Sequence, residues 1–313
     1  MNSKPTVLIT GITGTLGSKI ATAILDKGEM NVKGLVRSSS TSHNNKQQQL
    51  DDLKAKGVVF VEGDLSDQSS LNNACEGIEV IVSAVKGSQS KKTGLYREDI
   101  VLSGQLNLLE AAITKGVKRF VPSDYSVDYF KIDLGNNHNL NFRILFAEAL
   151  KQSGLGHTFI LNGAFTEVQF SMFGKLFDFK AGTFSYWGDG EQPCDFTTYD
   201  DTAKYTAEAI ADPQMLNSAL KVAGDVLTMK QLLATYEEVT GKKLVEKCLG
   251  TVEDLEAWIA KTKQIASSPF NYLPEQYHWA IVSGKAKLDK LDNSRYHHIK
   301  PTSIKQFISQ GDF

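Results

Sequence analysis

Cysteine and proline are scarce in this chain, which contains three and seven of them among 313 residues. Cys75, Cys194 and Cys248 are an odd number without a Cys-x-x-Cys pair, which argues against a disulfide framework and favours reduced thiols in a cytoplasmic protein. The histidines show no metal-ligand spacing, because the adjacent His297 and His298 would point in different directions on a helix or a strand. No metal site is therefore predicted.

An excess of charge and long apolar runs are lacking as well. The net charge of -2 and the isoelectric point near 6.3 give no electrostatic reason to bind nucleic acid or an anionic membrane. The N-terminus, "MNSKPTVLITG", passes from a short polar lead directly into a strand-like segment, and no apolar run approaches the roughly 18 residues of a membrane span. These absences predict a soluble protein that binds neither nucleic acid nor membrane.

Short apolar segments recur along the first half of the chain and alternate with helical patterns. They are nearly continuously apolar, as parallel strands covered on both faces are. The predicted strands are Val7–Thr10, Val32–Val36, Val58–Val61, Val80–Ser83, Phe120–Val121 and Thr158–Leu161. Repeated β–α units of this kind predict an α/β fold with a doubly wound parallel sheet.

The helical patterns between these strands end at glycines. Their apolar stripes are Leu16, Ile20 and Ile24, ending at Gly28; Leu106, Leu109 and Ile113, ending at Gly116; and Phe142, Leu145, Phe146, Ala149 and Leu150, ending at Gly154. After about residue 160 the alternation weakens, and capping boxes at Thr228…Gln231 and Thr251…Asp254 predict two later helices. We predict a first domain over 1–164, to which 193–225 returns, and a smaller C-terminal α+β substrate-binding domain over 165–192 and 226–313.

The strongest motif is Gly11-Ile-Thr-Gly14-Thr-Leu-Gly17, between the first strand and the first helix. Its glycines allow a tight turn, close approach of backbone amides to a pyrophosphate, and close packing of the helix on the sheet. The N-terminus of the helix then faces the negative charge. The motif predicts a dinucleotide site; the alternative is a glycine-rich turn without a ligand.

The second strand indicates which dinucleotide binds. NAD-selective sites place an acid at the end of this strand, where it accepts hydrogen bonds from the ribose 2′-hydroxyl. Here "VKGLVRSSS" ends in Arg37 and contains no acid. The guanidinium of Arg37 suits a 2′-phosphate, and Ser38 adds a donor, so the predicted cofactor is NADP(H). The alternative is a solvent-exposed arginine at a strand end.

Nearly the whole chain resembles NmrA-like proteins of the atypical short-chain dehydrogenase class, which includes isoflavone reductases and phenylcoumaran benzylic ether reductases. The resemblance lies in "TGITGTLGSKIA", "GLVRSSS", "VVFVEGDLSDQSSLNNACEGIEVIVSA", "LLEAAITKGVKRFVPSDYSVD" and "DFTTYDDTAKYTAEAI". It implies a Rossmann fold and a set of cofactor-binding residues: Gly11, Thr13, Gly14, Thr15, Leu16, Gly17, Arg37, Ser38, Lys46, Asp64, Leu65, Ser83, Ala84, Val85, Pro122, Ser123, Arg143 and Phe165. Two members have alternatives, since Asp64 could be a helix N-cap and Ser83 a satisfied core hydroxyl.

Candidates for acid–base chemistry are few. Tyr296 and Lys300 have the Tyr-x-x-x-Lys spacing of short-chain dehydrogenases, but the resemblance makes "RYHHIKPTS" an ordinary C-terminal segment, and Pro301 disfavours helix at Lys300. Isoflavone-reductase-like enzymes carry a catalytic Lys shortly before an "IRR" sequence, and Arg143 matches its position. Arginine can orient an anion or polarise a carbonyl but is a poor proton donor. The other candidates are Tyr125, as a proton donor, and Asp124, as an acceptor; both could instead cap helices.

Two functions follow. The first is an NADPH-dependent reductase of a small aromatic or conjugated compound; the aromatic stretch from Phe165 to Phe179 is either its pocket or core. The second is a non-catalytic NADP(H)-binding redox sensor that acts through a protein partner, which the loss of the family Lys at Arg143 favours.

Overall fold

The structure is a computed structural model that describes residues 4–37, 44–89, 96–97 and 100–311. The chain divides into two compact units, each assembled from three stretches. The first unit comprises Met1–Asp124, Phe142–Ile160 and Thr202–Leu220, and the second comprises Tyr125–Asn141, Leu161–Asp201 and Lys221–Phe313. These limits differ from those of the predicted domains. The assignment of cofactor binding to one predicted domain and substrate binding to the other stays a prediction.

The elements follow one another closely along the chain. Up to residue 161 they are β1 (Thr6–Thr10), α1 (Thr15–Lys27), β2 (Asn31–Val36), α2 (Asn44–Ala55), β3 (Val59–Glu62), α3 (Gln68–Ala74), β4 (Val80–Ser83), β5 (Ser88–Gln89), β6 (Tyr96–Arg97), α4 (Ser103–Thr114), β7 (Arg119–Val121), α5 (His138–Gln152) and β8 (Gly156–Leu161). Beyond it they are β9 (Ala164–Phe165), α6 (Thr166–Gln169), β10 (Phe177–Asp178), β11 (Thr183–Tyr186), β12 (Cys194–Thr197), α7 (Tyr199–Ala211), β13 (Ser218–Lys221), β14 (Asp225–Leu227), α8 (Met229–Thr240), β15 (Val245–Cys248), α9 (Val252–Ile265), α10 (Leu273–Val282) and α11 (Ile304–Gln310). Short 3₁₀ helices lie at Tyr129–Lys131, Pro213–Met215, Pro269–Asn271 and Asn293–Tyr296.

A seven-stranded parallel sheet in the order β13-β8-β7-β4-β1-β2-β3 organises the first unit. Six of its strands are the predicted ones with only small differences in their ends, and β13 joins them at one edge, so the prediction of a doubly wound α/β fold is confirmed. The chain reverses its winding between β1 and β4, where Thr10 lies opposite Ser83. Ligands of such sheets bind outside the carboxyl ends of the strands at this reversal.

The predicted helices form, but two of the three residues of the apolar stripe predicted for α4 are not buried. Leu106 and Ile113 are 36% and 50% exposed, whereas Leu109, the third, is buried together with Leu108, Ala111 and Ala112. Small alanines bring this face of α4 close to its neighbours, so the buried face is rotated from the one that the larger side chains suggested. In α5, Leu145 is likewise exposed.

A buried arginine joins β7 to the end of α7 within the first unit. Arg119 is 8% exposed, and its Nη1 donates to the carbonyl oxygens of Ala209, Ile210 and Asp212 at 2.9–3.1 Å. The carbonyls of Ala209 and Ile210 belong to the last turn of the helix, beyond which no helical amides remain to bind them, and Asp212 follows the helix directly. The guanidinium therefore satisfies the C-terminus of α7.

The second unit contains two three-stranded sheets, β14-β12-β9 and β10-β11-β15. β12 pairs with β9 in parallel and with β14 antiparallel. An aromatic cluster forms part of its core, with Phe170 and Phe177 stacked at 4.5 Å between ring centroids and with Phe184, Tyr236 and Phe307 around them. Of the aromatic stretch from Phe165 to Phe179, Phe170 and Phe177 are thus core, whereas Met172, Phe173 and Phe179 are 94%, 38% and 42% exposed.

Helix caps in the second unit follow the sequence. The predicted capping boxes at Thr228–Gln231 and Thr251–Asp254 are present, and Ser303–Gln306, which was not predicted, caps α11 in the same way. None of the helices in the described ranges combines the length and the hydropathy that crossing a bilayer requires. Within the same ranges, no group of three or more His, Cys, Asp or Glu side chains is arranged to hold a metal ion.

Candidate functional site: a dinucleotide cradle and its surroundings

The turn between β1 and α1 needs glycine at two positions. Gly11 has a φ of +74°, and a Cβ atom there would lie 2.5 Å from the carbonyl oxygen of Ala84. A Cβ atom on Gly17 would overlap the carbonyl oxygen of Gly11. The turn therefore lies directly against the end of β4, and α1 packs directly on the turn.

Gly14 differs from these two, because its φ of −88° and ψ of 164° suit any residue. It is the N-cap of α1, and its carbonyl oxygen accepts the first helical hydrogen bond, from the Ser18 amide at 3.0 Å. Gly14 supplies no side-chain cap, and the first turn of α1 carries no acid. The amides of Thr15, Leu16 and Gly17 thus lie at the positive end of α1, where they could hold an anion such as the pyrophosphate of a dinucleotide; this arrangement is called the cradle below. Thr13 is half-buried and Thr15 exposed beside it.

Arg37 follows β2 directly and is exposed, at the carboxyl end of the strand. The other two residues predicted to hold a 2′-phosphate cannot be placed in the same detail. Ser38 lies outside the described residues, and Lys46 lies in α2 with its side chain outside the described part of the chain.

Asp64 closes a local turn after β3 and does not cap a helix. Its Oδ1 accepts hydrogen bonds from the amide and the hydroxyl of Ser66, at 2.9 and 2.6 Å. The N-cap of α3 is Asp67, which accepts from the Ser69 amide, so the N-cap alternative for Asp64 is wrong. The carbonyl oxygen of Leu65 accepts from Asn107 of α4 at 2.8 Å, which fixes this turn to α4.

The hydroxyl of Ser83 is used within the core. Ser83 is fully buried, and its Oγ accepts a hydrogen bond from Thr10 Oγ1 at 3.2 Å. Its side chain fits the alternative of a satisfied core hydroxyl, which leaves the backbone of Ala84 and Val85, beside Gly11, as the part of β4 that could line a ligand.

The end of β7 is tied to the end of β4. Ser123, which follows Pro122, donates from its hydroxyl to the Val85 carbonyl oxygen at 2.5 Å, and its amide donates to Gln105 Oε1 at 3.0 Å. Gln105 is 1% exposed and its Nε2 donates to the Val101 carbonyl oxygen. Sequence reasoning missed this glutamine, because nothing in a helical pattern marks a polar residue that will be buried.

The side chain of Arg143 contacts the backbone of Asp124. Arg143 Nε donates to the carbonyl oxygen of Asp124 at 2.7 Å, and Asp124 itself is 1% exposed. The guanidinium predicted to take the place of the catalytic Lys of isoflavone-reductase-like enzymes thus donates to the loop after β7. This bond orients the planar guanidinium relative to that loop.

The remaining predicted residues belong to the second unit. Tyr125 is 5% exposed, and the adjacent Ser126 forms a parallel bridge with Leu161. Phe165 is half-buried and stacks on Tyr199, a residue that was not predicted, at 4.2 Å between ring centroids.

Tyr296 and Lys300 do not share a helix. Tyr296 is buried and ends the 3₁₀ helix Asn293–Tyr296, whereas Lys300 is exposed and its Nζ donates to the His297 carbonyl oxygen at 3.2 Å. The short-chain dehydrogenase arrangement of these two side chains on one α-helix is thus not formed.

Comparison with known proteins places this architecture. The NmrA-like family matches residues 3–308. Pinoresinol reductase 2 of Arabidopsis thaliana is 31% identical over 250 residues, which are 77% of this chain and 76% of the relative. Phenylcoumaran benzylic ether reductase IRL1 of Ginkgo biloba is 26% identical over 322 residues, which are 98% of this chain and 99% of the relative.

Solved structures agree with the sequence relatives. The structure of AtPrR2 with NADP+ and (+)pinoresinol superposes with a TM-score of 0.83 at 25% identity and covers 99% of both chains. The binary complex of leucoanthocyanidin reductase with NADPH, from Vitis vinifera, has a TM-score of 0.82 at 21% identity, covers 98% of this chain and 99% of its own, and shares the fold. With the glycine turn, the parallel sheet and a match from residue 3 to residue 308, the chain belongs to the NmrA-like family.

Proposed function

We propose that the protein is an NADPH-dependent reductase of small aromatic or conjugated compounds. The observation that carries this proposal is the N-terminus of α1 at the glycine turn, combined with a β2 that carries no acid and is followed directly by Arg37. The relatives named above support the substrate class, since pinoresinol and phenylcoumaran benzylic ethers are aromatic compounds.

In this proposal each part of the first unit has a role toward the nucleotide. The amides of residues 15–17 bind the pyrophosphate, and Gly14 leaves them accessible. Arg37 binds the 2′-phosphate with Ser38 and Lys46, and the backbone of Ala84 and Val85 lines the nicotinamide side with Pro122 and Ser123. NADPH, when bound, supplies a hydride to the substrate.

The candidate catalytic residues have distinct abilities. Arg143 stays protonated, so it can orient an anion or polarise a carbonyl but cannot act as a base. Tyr125 is the candidate proton donor and Asp124 the candidate acceptor. Both are buried at the end of β7, where a proton can be moved without exchange with bulk water. We propose that nucleotide binds the first unit and that residues of the second unit recognise the substrate.

The test follows NADPH absorbance with purified protein and a panel of quinones, enals and phenylpropanoid ethers, (+)-pinoresinol among them. Turnover of at least one compound with NADPH, and much slower turnover with NADH, is the expected result. Tight NADPH binding with complete inertness across the panel would contradict the reductase proposal.

A second candidate is a redox sensor that binds NADP(H), catalyses nothing and signals to a protein partner. The observation that favours it is Arg143, which replaces the Lys of isoflavone-reductase-like enzymes and is bonded to the Asp124 carbonyl oxygen. A sensor must distinguish the two redox forms, so titration with NADPH and NADP+ separates the proposals. At least tenfold different affinities without turnover would favour the sensor, because tenfold corresponds to about 1.4 kcal/mol of discrimination.

A further inference from the structure

Tyr199 lies in the second unit beside Phe165, one of the residues predicted to line the site. β9 and β12 are parallel, with Ala164 opposite Phe196 and Phe165 opposite Thr197, so both strands end at the same edge. Tyr199 begins α7 immediately beyond β12 and stacks on Phe165 with 28° between the ring planes. Phe165 itself follows shortly after the carboxyl end of β8, the edge at which open α/β sheets bind ligands.

The backbone of Tyr199 is held by hydrogen bonds that do not use its own side chain. Thr198 and Asp201 form a side-chain pair at the start of α7: the Asp201 amide donates to Thr198 Oγ1 at 3.1 Å, and Thr198 Oγ1 donates to Asp201 Oδ2 at 3.0 Å. Glu167 Oε1 accepts from the Tyr199 amide at 2.9 Å. Groups that bind ligands are effective when rigid neighbours position them in this way, because little entropy is lost on binding.

The Tyr199 ring remains available for contact. The side chain is half-buried, and among the described residues its hydroxyl makes no hydrogen bond. Burial raises the pKa of Tyr199, and the nearby Glu167 carboxylate raises it further, so the phenol stays neutral and able to donate at any working pH. An aromatic face with one fixed donor suits an aromatic ring that bears an ether, hydroxyl or carbonyl oxygen.

We propose that Tyr199 determines substrate specificity: its ring packs against an aromatic ring of the substrate, and its hydroxyl donates a hydrogen bond to a substrate oxygen. This inference rests on the proposed reductase function. It adds to that function a recognition residue that lies outside the cofactor cradle.

The experiment compares Tyr199→Leu, which removes the ring, and Tyr199→Phe, which removes only the hydroxyl. The control is Phe130→Leu, which removes another partly exposed ring that is paired with Tyr129 at 4.4 Å. With (+)-pinoresinol or the best compound of the panel, we expect Tyr199→Leu to raise KM about tenfold or more and Tyr199→Phe about two- to tenfold. The affinity for NADPH, the melting temperature and the control should stay at wild-type values.

The outcomes separate this inference from the proposed function. If turnover exists and both Tyr199 variants keep the wild-type KM, Tyr199 does not contact the substrate. If they lose NADPH affinity or thermal stability in parallel with KM, the ring belongs to the cofactor site or to the core. If the wild type turns nothing over, calorimetry with (+)-pinoresinol and the NADP+-loaded protein decides. Binding that depends on Tyr199 then supports this inference while the reductase proposal fails, and absent or Tyr199-independent binding refutes it.

Discussion

Alanine at Gly14 should abolish much of the affinity for NADPH while leaving the fold intact. Its backbone conformation is open to alanine, and a Cβ atom there would lie 3.1 Å from the nearest protein atom, the Gly11 carbonyl oxygen. A shift of a few tenths of an ångström relieves that contact. Alanine is a poorer N-cap than glycine, but the glycine-to-alanine change reduces the chain entropy lost on folding. Because these effects oppose each other, the net change in the free energy of unfolding should stay below about 1 kcal/mol.

The affinity for NADPH should respond differently, because in the proposed function the new methyl group would stand between the pyrophosphate and the amides at the start of α1. A hydrogen bond to a charged group contributes about 1.5–3 kcal/mol, so losing one weakens NADPH binding about 10- to 150-fold. Gly17→Ala is the contrasting variant. Its Cβ atom overlaps backbone atoms of Gly11 that cannot move aside, and such overpacking costs about 1–3 kcal/mol in stability.

The assay pairs thermal unfolding without nucleotide with fluorescence titration of NADPH, for wild type, Gly14→Ala and Gly17→Ala. Thr22→Ala, further along α1, is the control and should change neither quantity appreciably. For Gly14→Ala we expect weakened NADPH binding and a melting temperature within a few degrees of the wild-type value. For Gly17→Ala we expect a clearly lowered melting temperature. Wild-type NADPH affinity in a folded Gly14→Ala protein would show that no pyrophosphate binds at this turn.

Three other predictions concern side chains. Arg37→Ala should weaken NADPH binding about 10- to 150-fold and leave NADH binding nearly unchanged, which paired titrations measure; equal losses for the two nucleotides would rule out a 2′-phosphate contact. Arg143→Lys should keep NADPH affinity within about threefold, because the positive charge is retained; an Arg143→Ala protein with unchanged affinity and no turnover would instead make Arg143 catalytic. His278 donates from Nε2 to the Gly174 carbonyl oxygen, and burial lowers its pKa. The unfolded chain then takes up a proton below about pH 6.5 that the folded protein resists, so stability relative to His278→Gln should fall from pH 7 to pH 5, by at most about 1.4 kcal/mol per pH unit. Parallel stability–pH curves for the two proteins would contradict that reasoning.

The sheet and the glycine turn before α1 could be predicted because local patterns determine them. An apolar segment, a glycine turn and an amphipathic helix each act over a few residues, and Gly11, Gly14 and Gly17 lie where the motif places them. The absence of an acid before Arg37 is equally local. For these features, the identity and spacing of neighbouring residues are enough to predict the local backbone structure.

The features that escaped prediction depend on residues distant in sequence. Gln105 binds the amide of Ser123, and Tyr199 meets Phe165 because two strands far apart in the chain pair. The stripe through Leu106 was misplaced because the choice of buried face on α4 depends on how closely its alanines pack on neighbours. Side-chain size along one helix does not contain that information.

The interleaving of the two units affects how the protein is made. The chain passes between them five times, at residues 124, 141, 160, 201 and 220, so neither unit is complete when a contiguous stretch has left the ribosome. Arg119 is synthesised about ninety residues before the carbonyl groups that its guanidinium binds. The seven-stranded sheet is likewise incomplete until its edge strand β13 has been synthesised. Contacts between residues this far apart in sequence form slowly, and apolar strands stay exposed until they have formed. A fragment that ends at residue 164 is therefore an unfinished sheet, and chaperone demand during translation should stay high until residue 220 has emerged.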